Sequence, residues 1–155
     1  MTLDDGFRVS PLWTFSVRHY AKPGVKEACL ALQDDTGLDV NVALACLWHE
    51  RQGGTPLSGE DIERLLEAVR PAQQRVEGIR PLRRDAQHAA ETEALYRTLK
   101  RAELLAENLL QLALYEALRS LPHGDAGDGR ASLQAYATQQ RKTLPPGEVE
   151  AFAVE

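Results

Sequence analysis

Apolar positions along the chain recur at intervals of three and four and almost never alternate in twos, so the pattern predicts helices throughout. Leu12, Trp13, Ser16, Val17 and Tyr20 fall on one helical stripe, broadened by Phe15. Ser10 precedes it, with Pro11 at the first helical position, a pairing that suits a helix start. Lys22-Pro23-Gly24 interrupts the pattern. A second helix is predicted from about Pro23 to Thr36, with Val25, Ala28, Cys29, Leu32 and Thr36 on one face and Gly37 as its C-terminal cap.

The run Val40-Asn41-Val42-Ala43-Leu44-Ala45-Cys46-Leu47-Trp48 is apolar on nearly every side. It is too short to span a bilayer, so other helices must surround it. It is predicted to be the central core helix, capped by Asp39 and returned to solvent by His49, Glu50, Arg51 and Gln52. Ser58, with Asp61 three residues on, predicts a fourth helix with Ile62, Leu65, Leu66 and Val69 inside. Pro71 and Pro81 are expected to open new helical stretches or to kink a continuing one. A long helix is expected from about Ala86 to Leu121, broadly apolar over 104–118.

Beyond Leu121 the pattern fades. Residues 122–129 are rich in glycine and aspartate, as a flexible linker would be. Residues 131–142 are weakly amphipathic through Leu133, Tyr136 and Ala137, and the last stretch carries Pro145-Pro146, Glu148, Glu150 and Glu155. The expectation is an all-α fold: one helical domain of five or six helices over 10–121, then a linker and a mobile or weakly helical tail over 122–155.

Composition adds boundaries to this picture. With 155 residues the chain suits one domain. Two cysteines are too few for a disulfide scaffold, and the N-terminal residues lack the apolar stretch of a signal peptide. A soluble cytoplasmic protein is expected, without a membrane span. Eighteen basic against 23 acidic residues give a formal net charge of -5, which disfavours nucleic acid as a partner.

Four groups of residues invite chemistry. Trp13, Tyr20, Asn41 and Trp48 would line a ligand pocket between helices, with Asn41 as a polar anchor; as large side chains in a small domain, the aromatics would equally serve as core. Cys46 and His49 lie one turn apart, and Cys29 on the preceding helix would add a third soft ligand. That spacing is not one of the recognised zinc patterns, and burial as small hydrophobes explains both cysteines. Segment 70–85 carries a net charge of +3, from five arginines against Glu77 and Asp85. Within it Arg80, Arg83 and Arg84 are candidates for a protein partner, or simply a solvated face. No catalytic residue is assigned: nucleophile-elbow, phosphate-loop and dinucleotide patterns are missing. No cofactor is expected.

One pattern is more specific. Leu12-Trp13-x-Phe15-Ser16, Tyr20-Ala21-x-Pro23-Gly24-Val25, Ala28-Cys29-Leu30-x-Leu32-Gln33, Gly37-x-Asp39-Val40-Asn41, then Leu44 and Leu47-Trp48 run in order along the first third of the chain. The pattern resembles a family of small uncharacterised proteobacterial proteins, a domain of unknown function, over about residues 10–115. The resemblance implies a small, mostly helical cytoplasmic protein and brings no reaction, ligand or site residue. The functional expectation is a non-enzymatic adaptor or regulatory protein, acting on a protein partner or as a homodimer. The alternative is a small-molecule-binding helical domain, or an enzyme, with its pocket near Trp13, Tyr20, Asn41 and Trp48.

Overall fold

A computed structural model describes residues 6–89 and 93–155, which form seven helices. The first three are α1 (Pro11–Tyr20), α2 (Val25–Thr36) and α3 (Val40–Arg51). Two long helices follow, α4 (Gly59–Gln87) and α5 (Glu93–Leu118), and then two short ones, α6 (Arg130–Gln139) and α7 (Pro146–Phe152). Among the described residues the only extended pairing is a single antiparallel bridge between Gly54 and His123. The all-α class follows the hydrophobic pattern: five helices lie within residues 10–121, and two more follow. No described helix is long and apolar enough to cross a membrane.

Local chemistry places the starts of α1, α3 and α4. Ser10 Oγ accepts the Trp13 N–H at 3.1 Å, and Asp39 Oδ1 accepts the Asn41 N–H at 2.9 Å. Ser58 and Asp61 form a reciprocal capping box: each side chain accepts the other's backbone N–H, at 3.1 and 3.0 Å. Each such cap is worth about 1 kcal/mol, because it satisfies a donor the helix leaves free.

α3 is the centre of the fold. Every residue from Asn41 to Glu50 is buried, and α1, α2, α5 and α6 pack around it. Its amide side chain is accommodated by a partner: Gln111 Nε2 of α5 donates to Asn41 Oδ1 at 3.0 Å. At the same end Gln73 Nε2 donates to Asp39 Oδ2 at 3.0 Å, and the Asp39 N–H donates to Tyr136 Oη at 2.9 Å.

The two prolines do not divide α4. Pro71 and Pro81 lie inside one helix, on exposed positions. A proline frees the carbonyl four residues earlier. Here those carbonyls belong to Glu67 and Glu77, which are also exposed, so water can take the freed acceptors. The predicted helix over Ala86–Leu121 therefore begins later, at Glu93, and Ala86 belongs to the last turn of α4. α4 and α5 run antiparallel, as the pairing of Arg83 with Glu103 and Arg80 with Glu107 requires. This hairpin also covers the apolar stretch of α5: Ala106, Leu110, Leu114 and Leu118 are buried, and no large apolar side chain between 104 and 118 is exposed.

Of a mobile or weakly helical tail, the helical alternative is the one seen, in α6 and α7. α6 packs on α3 and α4, and α7 packs on α2. Ser132, Leu133, Tyr136, Ala137, Phe152 and Ala153 are buried. The glycine-rich stretch is a close-fitting connection rather than a spacer. Gly129 sits at φ +96°, and a Cβ there would lie 2.5 Å from Leu47 Cα. No residue with a side chain lets α6 start so close to the backbone of α3. Composition alone signals flexibility for such a stretch; its polar groups are instead bonded by the end of α3.

Candidate functional site

The polar end of α3, expected in solvent, is buried. His49 is 0% exposed and Glu50 3%. His49 Nε2 donates to the Thr55 carbonyl at 2.8 Å, which leaves Nδ1 buried with no partner. Burial pushes the His49 pKa down, against the pull of that carbonyl. Glu50 Oε2 accepts the Ser132 N–H at 2.7 Å, and the Glu50 carbonyl accepts the Gly127 N–H at 2.9 Å. Arg51 reaches three carbonyls: Nε to Asp128 at 2.8 Å, Nη2 to Ala153 at 2.6 Å and Nη1 to Val154 at 3.2 Å. Glu50 and Arg51 thus fasten residues 127–132 and 153–154 to the core helix, while His49 holds the turn at Thr55.

On the α1 side of that fastening lies an open groove of about 680 Å³. One wall is α1 and its flanks, with Ser10, Thr14, Phe15, Arg18, His19 and Lys22; the other is the end of α3, with Trp48, Arg51 and Gln52. Three cations line the groove and no carboxylate does. Arg18 is exposed and Lys22 half-buried, and neither side chain forms an ion pair among the described residues. Arg51 lies over the Phe15 ring at 6.0 Å, and Phe15 stacks on His19 at 5.2 Å with 13° between the planes.

His19 is 1% exposed. Its Nε2 donates to the Phe152 carbonyl at 2.6 Å, and Nδ1 has no partner. Burial lowers its pKa most; the Phe152 carbonyl opposes this, and the Arg51 and Lys22 cations add to it. The ring is therefore held neutral, with its proton on Nε2. Burial also lowers the Arg51 pKa, against the pull of Glu155 and Asp128, but a guanidinium remains charged.

The sequence candidates scatter around this groove. Of Trp13, Tyr20, Asn41 and Trp48, Trp48 alone lines it, with its ring 5.5 Å from that of Tyr115. Trp13 packs against Phe7 at 6.0 Å, Tyr20 is 40% exposed at the end of α1, and Asn41 faces Gln111 inside the core. Cys29 and Cys46 are free and buried; burial pushes the Cys29 thiol up to about 12 and the Cys46 thiol further still. Neither is a ready thiolate. Among the described residues no three His, Cys, Asp or Glu side chains come together as metal ligands, so Cys29, Cys46 and His49 are not joined in a centre. Arg83 grips Glu103 through Nε and Nη2, both at 3.2 Å, and Arg80 Nη2 meets Glu107 at 3.3 Å. Arg84 is exposed and makes no ion pair among the described residues.

Ser16 and His19 lie one turn apart on α1, yet the Ser16 hydroxyl and His19 Nδ1 both lack partners, so they form no hydrogen-bonded nucleophile and base. The sequence does not group Arg18, Lys22 and Arg51, because they come from two helices. A partial signal exists: Phe15, Arg18, His19 and Lys22 recur at helical spacing and form a mixed basic and aromatic stripe.

No curated protein and no solved structure matches the chain significantly. The family model described as protein of unknown function (DUF2390) matches residues 11–114, from the first residue of α1 to the last turns of α5. The match takes in both helices of the groove and stops before α6 and α7. By this match over about two thirds of its length, the chain belongs to the DUF2390 family of proteins of unknown function.

Proposed function

We propose that the protein is a non-enzymatic helical binding protein, and that the groove between α1 and the end of α3 is its ligand site. The observation that carries this reading is a concave groove lined by three cations and by aromatic rings, with no carboxylate in its lining. Its volume falls within the ~300–1,000 Å³ range of small-molecule sites. The two free thiols suit a cytoplasmic setting.

An adaptor or homodimer role rests on weaker ground. It would need the apolar stretch 104–118, the basic segment 70–85 or the C-terminal stretch with its glutamates as a free surface. The first is covered by the α4–α5 hairpin and α3, Arg80 and Arg83 of the second are paired within the chain, and α7 of the third is packed on α2.

A melting-temperature screen against a chemically mixed panel of small molecules tests the ligand reading. It compares the native chain with Thr14→Phe, a substitution on the groove wall that fills it. At least one chemical class is expected to raise the melting temperature of the native chain and not of the variant. Shifts of equal size in both, or no shift with any class, would overturn the reading.

A further inference from the structure

We propose that the groove takes a small organic anion with an apolar body, its charged end held by Arg18, Lys22 and Arg51 and its body against Phe15 and Trp48. This rests on the groove being a ligand site and adds the class of ligand.

The argument starts from charge. Arg18 and Lys22 on one wall face Arg51 on the other, and no carboxylate lines the groove. Glu155 and Asp128 act on Arg51 from outside it, and neither Arg18 nor Lys22 forms an ion pair among the described residues. Arg51 and Lys22 lie close enough for both to act on His19. Positive charge gathered at a concave, partly apolar surface is felt more strongly than on open surface, because less water screens it. An anion offsets that charge; a neutral ligand does not.

Geometry adds preorganisation. A guanidinium has five N–H groups. Arg51 commits one each from Nε, Nη1 and Nη2 to the carbonyls of Asp128, Val154 and Ala153. Two N–H groups remain on a side chain whose position is already set, so binding through them orders little further. Arg18 and Lys22 supply cations that hold nothing else. Phe15 and Trp48 supply the apolar walls that a bare inorganic anion would leave unused.

Arg51 and His19 also tie the groove to α7. Both line it, and both hold backbone carbonyls of residues 152–154. An anion that fixes Arg51 more firmly therefore also fixes the last turn of the chain, and protection of 152–154 from hydrogen exchange is expected to rise on binding.

The test is a two-dimensional NMR titration of the full chain with four probes: phenyl phosphate, benzoate, neutral benzamide and inorganic phosphate. The chain has two tryptophans, and only Trp48 lines the groove, so its indole N–H is the local readout and that of Trp13 the control. Phenyl phosphate and benzoate are expected to move the Trp48 signal in a saturable way, at least tenfold more tightly than benzamide or inorganic phosphate. In Arg18→Ala/Lys22→Ala, which removes no bond within the described fold, the two organic anions are expected to bind at least tenfold more weakly, with benzamide unchanged. Benzamide binding as tightly as benzoate, or the double variant binding phenyl phosphate like the native chain, would overturn the proposal while leaving a ligand site in place. If no probe of either charge moves Trp48, the ligand-site reading falls and the proposal falls with it.

Discussion

Replacing Phe152 with alanine separates a packed C-terminus from a loose one. The Phe152 side chain is fully buried, and its ring meets the His19 ring edge-on at 6.0 Å and 84°. Removing a buried phenyl ring costs about 3–5 kcal/mol, the sum of lost transfer free energy and the cavity left behind. The edge-on contact contributes about 0.5–1.5 kcal/mol of that. For a chain of this size the loss corresponds to a fall in melting temperature of roughly 10 °C. Urea denaturation followed by circular dichroism measures the global part. Hydrogen exchange over 146–153 measures the local part, since α7 can come away without unfolding the rest. Val154→Ala, at a position 38% exposed, is the control and is expected to stay within about 0.5 kcal/mol of the native chain. If Phe152→Ala changes neither the urea midpoint nor the exchange of 146–153, then α7 is not held as described and the groove loses one of its supports.

Three further outcomes follow from the same structure. Glu50→Ala leaves the buried Ser132 N–H without an acceptor and should cost about 1–3 kcal/mol in urea, with Glu50→Gln closer to native. Acid should weaken the fold through His19 and His49, whose folded pKa values lie below the unfolded value of about 6.5. Their contribution is fully present above that pH and is lost as pH falls through the folded pKa values, because the unfolded chain binds protons first. Glu107, held above the ordinary carboxylate range mainly by burial, acts with the opposite sign at lower pH; melting curves between pH 8 and pH 5 should show the histidine loss, reduced in His19→Gln. Arg83→Ala breaks a two-pronged pair with Glu103 and should cost about 1 kcal/mol, whereas Arg84→Ala should cost under about 0.5 kcal/mol.

What the sequence made legible was local. Ser10, Asp39, Ser58 and Asp61 act on backbone groups within three residues of themselves, so neighbouring letters suffice to find them. The all-round apolarity of Val40–Trp48 marked the core helix for a similar reason: burial on every side leaves no polar face. The prolines of α4 left both a new helix and a continuing one open, because the outcome depends on where the freed carbonyls point, which is a property of the packed helix. His49, Glu50 and Arg51 were assigned to solvent because their acceptors and donors lie at Thr55, Ser132, Asp128, Ala153 and Val154, most of them far along the chain. The same distance left α6 a weak pattern over 131–142 and hid α7; together they pack against α2, α3 and α4. Of the four ligand candidates Trp48 alone lines the groove, since a groove between two helices shows no single periodicity.

The position of α3 has a consequence for synthesis. Its first residues are capped through Asp39, whose N–H waits for Tyr136, a partner 97 residues later. His19 waits for the carbonyl of Phe152, 133 residues later. At roughly 5–20 residues per second, the interval between Asp39 and Tyr136 leaving the ribosome is about 5–20 seconds. Throughout it the most apolar segment of the chain is already made and not yet enclosed. Helix formation within it takes microseconds, so the delay is one of cover, not of shape. A stop codon after α5 would make that exposure permanent, and such a fragment is a natural client for chaperones and proteases.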